Sequence, residues 1–184
     1  MKKIQFNAPV TLTFFIISLC ALILGYITSG WTTDMFFSVY RTSHIDPMVL
    51  PRFFTHVIGH ADLGHFFSNM LLLLVLGPPL EEKYGSMILL SGIAFTALVS
   101  GVLHFVFFPY TSLLGASGIV FMFIMLASLS GMQEGKIPLT LILVALMYLG
   151  QEIYSILFVI DNVAHFMHIV GGICGTIFGF FMAK

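Results

Sequence analysis

A chain of 184 residues with 59 % hydrophobic and only 8 % charged residues cannot cover a soluble surface, which ordinarily needs about 25 % charge. Its mean hydropathy is +1.05 and its formal net charge -1, so it has no basic field for nucleic acid and is too apolar to stay disordered. The composition is that of an all-α, multi-pass membrane protein.

A helix needs about 20 apolar residues to cross the hydrocarbon, and six segments approach that length. The first is predicted over Val10–Thr28 and the second over Val57–Leu76. The third covers Met87–Phe108, the fourth Ser112–Ser130, the fifth Pro138–Phe158 and the sixth Asn162–Ala183. Lys2 and Lys3 ahead of the first run resemble the start of a signal peptide. The run is too long for a signal core and has no convincing small-x-small cleavage site, so a retained anchor is expected. With six spans, Lys2, Lys3, Lys83, Lys136 and Lys184 fall on one side, five of the seven basic residues. The excess of cations on the cytoplasmic side of membrane proteins puts both termini in the cytoplasm.

The connection from Ser29 to Thr55 is too long to be a simple loop. It carries Trp31, Phe36, Phe37, Tyr40 and Phe53, so it is expected to lie partly in the outer leaflet, where aromatic rings favour the headgroup level. Cys20 and Cys174 lie in separate apolar runs and read as small residues in lipid. No repeat or linker divides the chain, so residues 1–184 are expected to form a single membrane domain.

Polar residues within spans cost free energy unless paired or hydrated, and here they cluster. The second span opens with His56, His60 and His65, followed by Asn69; the fourth carries Gly115-Ala116-Ser117-Gly118; the sixth carries His165 and His168, then Gly171 and Gly175. All three clusters fall toward the outer ends of their spans. Ser117 taken alone is a small packing residue. Its glycines also suit a nucleophile near a helix start, where free backbone N–H groups can bind an oxyanion. A serine hydroxyl needs a base, and His168 can supply one if the Gly171–Gly175 groove brings its helix close. His65 and Asn69, four residues apart, share a helix face and can both donate to an oxyanion. His56 and His60 are expected to organise the loop and helix start by hydrogen bonding.

These residues resemble the rhomboid family of intramembrane serine proteases, of the bacterial six-span kind. The resemblance rests on Gly115-Ala116-Ser117-Gly118, on His60, His65 and Asn69, and on His168-x-x-Gly171-x-x-x-Gly175. Arg52 ahead of Phe53-Phe54-Thr55-His56 and Glu82-Lys83-Tyr84-Gly85-Ser86 extend it over nearly the whole chain after the first span. It implies a six-helix bundle and a dyad with Ser117 as nucleophile and His168 as base. It further implies an oxyanion hole from His65, Asn69 and the Ser117 N–H, no cofactor or metal, and transmembrane protein substrates cleaved near the outer face. The connection after the first span would be the family's membrane-embedded loop, and the second and fifth spans would frame the substrate's route in.

Two positions depart from the family pattern. The usual Ala-His-x-x-Gly is split: Ala164-His165 has the predecessor but puts His168 where glycine belongs, whereas Met167-His168 has both glycines. His168 is preferred as base and His165 is the alternative, because a base at 165 would put the His168 ring at the tight contact with the serine helix. The family's Tyr one turn after the serine is Phe121 here, which keeps the aromatic face without the hydroxyl. Glu152 near the outer part of the fifth span reads as a hydrated or interfacial carboxylate, leaving the dyad without an acidic partner and turnover slow. The competing readings are a catalytically silent rhomboid-like protein that binds transmembrane clients, and a metal-binding transporter using the histidines. A zinc protease would need His-Glu-x-x-His, and His56-Val57-Ile58-Gly59-His60 lacks the glutamate.

Overall fold

The computed structural model of the chain describes residues 4–42, 44, 46–133, 136–158 and 162–182. Lys2, Lys3, Lys184, Ala183 and part of the Gly131–Lys136 loop lie outside them, as does the side chain of Ala164. The described residues are helical: α1 Pro9–Ile27, α2 Trp31–Phe37, α3 Val49–Thr55, α4 Leu63–Tyr84, α5 Ser86–Phe107, α6 Ser117–Leu129, α7 Leu139–Val144, a π-helical turn Ala145–Leu149, α8 Gly150–Phe158 and α9 Asn162–Met182. Four of these, α1, α4, α5 and α9, are long and apolar enough to cross a membrane. The π turn joins α7 to α8 without a break, and α6 is a shorter apolar helix of 13 residues. Apolar stripes such as Phe67, Leu71 and Val75 on α4, and Phe95, Val102 and Val106 on α5, face outward. That surface suits lipid, and the protein is a helical, multi-pass integral membrane protein.

Helix α6 lies at the centre. Nearly every side of it is buried, and Ile119, Met122, Phe123 and Leu126 form one core with Phe66, Met70 and Leu73 of α4 and Val170 and Cys174 of α9. At about 1.5 Å per residue its 13 residues extend about 20 Å, short of the about 30 Å hydrocarbon thickness. The fourth segment therefore starts five residues later than the expected Ser112. Leu113 bridges to Val39 instead, and Gly115 takes φ +122°, which breaks any helix before Ser117. Non-helical backbone at such depth is tolerated where protein covers it, and Ala116 is fully buried.

The second segment shifts the other way. It begins at Leu63 rather than Val57, because the Asp62 side chain caps α4 by accepting the His65 backbone N–H at 2.8 Å. His56 and His60 therefore precede the helix. The segment also runs on through Pro78 and Pro79 to Tyr84, past the expected end at Leu76. A tertiary contact holds that extension. The buried Glu81 carboxylate accepts from Val10 N–H (2.8 Å), Thr11 N–H (3.0 Å), Thr11 Oγ1 (2.9 Å) and Ser86 Oγ (2.7 Å), capping α1 and fixing the α4–α5 turn together.

The long connection is folded, with α2 and α3 inside it. Arg52 is buried; its Nε donates to the Met35 carbonyl at 2.8 Å, its Nη1 to Asp46 at 2.7 Å, and its guanidinium lies 4.4 Å from the Tyr40 ring centre. The Met48 N–H, then Arg52, hold the Asp46 carboxyl below its ordinary pKa. His56 Nδ1 meets the Arg52 carbonyl at 3.1 Å and His60 Nδ1 the Ile58 carbonyl at 3.0 Å. Both imidazoles lie outside the spanning helices, and burial lowers each pKa from 6.5 to about 4.

The closest helix contact joins α6 to α9. A Cβ on Gly171 would lie 2.1 Å from the Gly118 carbonyl oxygen, and one on Gly175 would lie 2.3 Å from that of Met122. Each added methyl would collide with backbone, which cannot swing aside. Gly171→Ala is expected to lower stability by about 1–3 kcal/mol, measured as unfolding in detergent; a neutral effect would contradict the contact. The two buried histidines set a pH dependence. Between pH 6.5 and 4 the unfolded imidazoles bind protons that the folded ones do not, so stability falls as pH drops through that window. A thermal midpoint in detergent that stays level from pH 7 to 4.5 would contradict neutral, buried rings.

Candidate active site

The N-terminus of α6 meets α4 through Gly115. A Cβ on Gly115 would lie 2.7 Å from His65 Nε2 and 3.9 Å from Asn69 Nδ2, so a side chain here is excluded by space as well as by its positive φ. His65 and Asn69 lie on the first two turns of α4 and face the same point because four residues separate them. Asn69 is buried, and its Nδ2 has no hydrogen-bond partner among the described residues. A buried amide donor without an acceptor costs about 1–3 kcal/mol. Ser117 follows two residues later as the first residue of α6, whose opening N–H groups have no acceptor within the helix. The chain is held there by a 2.9 Å hydrogen bond from Gly115 N–H to the His56 carbonyl. His60 packs edge-on to His65 at 5.1 Å between ring centres, supporting it from behind.

On the opposite side stands α9. The Gly118–Gly171 contact brings its backbone against the turn that carries Ser117. The His168 ring stacks face to face on Phe121, with centres 4.5 Å apart and planes 9° from parallel. Phe121 lies one turn after Ser117, so the ring resting on the serine helix is His168. His165 lies one turn nearer the start of α9, at 6.1 Å from His168 between centres. Ser117 and His168 do not share a hydrogen bond. Tyr148, on the π turn, meets Phe121 edge-on at 5.7 Å.

The departure from the sequence reading is Glu152. It is only 6 % exposed rather than hydrated or interfacial. Its Oε2 is 2.6 Å from His165 Nδ1 and 3.1 Å from His168 Nδ1. The first contact is a well-formed hydrogen bond, whereas the second is oblique. The signal was present in the order of the helices. Glu152 lies six residues before the end of α8 and His168 six residues after the start of α9, so an antiparallel pair puts them at one depth. Glu152, His165 and His168 are also the described donors that come within 4.8 Å of one another, close enough to hold a metal ion. The 2.6 Å separation is that of a hydrogen-bonded imidazole and carboxylate.

Comparison with known proteins adds a family match and several relatives. The family model described as "Rhomboid domain" matches residues 47–184. Rhomboid protease GlpG of Pectobacterium atrosepticum is 28 % identical over 96 % of this chain and 63 % of its own length. Rhomboid-like protein 15 of Arabidopsis thaliana is 28 % identical over 95 % of the chain and 46 % of its own length. Rhomboid-related protein 2 of Mus musculus is 30 % identical over 70 % and 47 % respectively. The chain thus spans about half to two thirds of these relatives. With its family match extending from the end of the long connection over both glycine contacts and every histidine of the site, the chain belongs to the rhomboid family.

Proposed function

We propose that the protein is an intramembrane serine endopeptidase in which Ser117 is the nucleophile, His168 the general base, and His65, Asn69 and the Ser117 N–H the oxyanion hole. The observation that carries this reading is the unpartnered Asn69 amide buried beside the start of α6. A donor left idle there has a purpose once a substrate oxyanion occupies the space beside Gly115. The Phe121 stack supports His168 over His165 as base, with the family's tyrosine hydroxyl dispensable to that packing.

The reaction is acyl transfer. Ser117 Oγ attacks the scissile carbonyl while its proton passes to His168 Nε2, and the oxyanion accepts from His65, Asn69 and the Ser117 N–H. Collapse breaks the C–N bond, and His168 returns the proton to the leaving amine. Water then attacks the acyl-enzyme, gives its proton to His168, and releases the new carboxylate with Ser117 restored. Gly115, Gly118, Gly171 and Gly175 serve this chemistry by permitting close approach.

In this reading residues 1–184 act as one membrane domain and the substrates are transmembrane proteins. Lys83 and Lys136 mark the cytoplasmic side, both termini lie there in a bacterial inner membrane, and cleavage occurs toward the outer face. A substrate helix would reach the site between α4 and the α7–α8 segment. The test is cleavage of a transmembrane substrate in proteoliposomes. Ser117→Ala and His168→Ala are each expected to lower the rate at least about 10³-fold, whereas His165→Ala retains measurable cleavage. Wild-type activity in Ser117→Ala would refute the scheme, and loss confined to His165→Ala would transfer the base one turn.

A further inference from the structure

The dyad leaves unexplained why a carboxylate is buried beside it. Glu152 sits on an apolar helix, almost fully enclosed, where an isolated charge would be costly. Its oxygen within reach of both imidazoles is Oε2, which His165 Nδ1 approaches to 2.6 Å and His168 Nδ1 to 3.1 Å. His168 Nδ1 is itself buried and has no well-aligned acceptor of its own among the described residues. The carboxylate, already held by His165, thus also faces an imidazole nitrogen of His168 that lacks an aligned acceptor.

We propose that Glu152 is a positioning residue for His168, making a Ser117–His168–Glu152 arrangement out of the pair, with His165 holding the carboxylate in place. This inference rests on the assignment of His168 as base. The physical need is specific. Stacking on Phe121 fixes the plane of the His168 ring, but a ring turned over within that plane would stack equally well. An acceptor at Nδ1 removes the ambiguity. It puts the proton on Nδ1, leaves the Nε2 lone pair free to take the serine proton, and faces the positive charge that then develops. A small rotation of the imidazole aligns the 3.1 Å contact. His165 and His168, three residues apart on one face of α9, hold the same oxygen from two sides, so the carboxylate cannot turn away without losing both.

The π turn also has a place in this arrangement. It carries Tyr148 against Phe121, and Glu152 follows four residues later on the same face. The Phe121 ring and the Nδ1 edge of the His168 ring are thus both reached from one stretch of chain.

The experiment compares wild type with Glu152→Gln, Glu152→Asp and Ser117→Ala in proteoliposomes, reading kcat and KM separately, with unfolding in detergent as the control for folding. Glu152→Gln is expected to lower kcat about 10- to 100-fold with KM within about twofold, and Glu152→Asp to restore part of it. Nitrogen NMR of histidine-labelled protein, with His168 assigned by its loss in His168→Ala, is expected to show Nδ1 protonated in wild type and a tautomer mixture in Glu152→Gln. A wild-type kcat in folded Glu152→Gln, a change in KM alone, or an unaltered His168 tautomer would overturn the proposal. If Ser117→Ala is inactive while Glu152→Gln is fully active, only this inference fails. If Ser117→Ala cleaves normally, the protease reading fails and this inference falls with it.

Discussion

The site depends on one contact between bare backbones. Gly171 and Gly175 let α9 settle against the carbonyls of Gly118 and Met122 with no side chain between them. In lipid there is little hydrophobic gain from pressing two apolar helices together, so close approach of small residues supplies the packing instead. That contact sets the height of His168 relative to Ser117 and puts its ring on Phe121. It also explains why α6 can be short. Covered by α4 on one side and α9 on the other, it need not reach across the bilayer, and its exposed N–H groups end inside the protein rather than in lipid.

The two flanks of the serine are built differently. On the α4 side the geometry is tight and short-range: Asp62 caps the helix, His65 and Asn69 follow on one face, and the positive φ of Gly115 brings the chain against them. Behind it, the long connection is fastened by buried Arg52 and by imidazoles that bond to backbone carbonyls. On the α9 side, the His168 imidazole rests on a flat aromatic face, with a carboxylate of the neighbouring helix 3.1 Å from its Nδ1. Under the proposed mechanism the α4 flank would hold the oxyanion and the α9 flank would carry the proton.

The sequence made the membrane class, the six apolar segments and the three polar clusters legible, because hydropathy and residue chemistry are local properties. Boundaries set by tertiary contacts were less so. Nothing near Pro78 and Pro79 shows that Glu81 will cap α1 some 70 residues away and hold α4 together past them. Val57 and Ile58 are apolar enough for a span, yet the Asp62 cap starts the helix later and leaves His56 and His60 in the loop. Which of His165 and His168 rests on the serine helix is a matter of the Gly118–Gly171 contact, which chain spacing suggests and packing defines. Glu152 was visible as an acid in an apolar run. Its partners were not, since pairing it with His165 and His168 requires the depth at which α8 and α9 lie side by side.

Ser117 as a nucleophile activated by His168 is open to chemical test. The most direct test is to treat the membrane-embedded protein with a fluorophosphonate and locate the adduct by mass spectrometry. One adduct is expected, on Ser117, that forms in wild type and is nearly lost in His168→Ala. An adduct on another residue, or labelling of Ser117 at the same rate without His168, would contradict it.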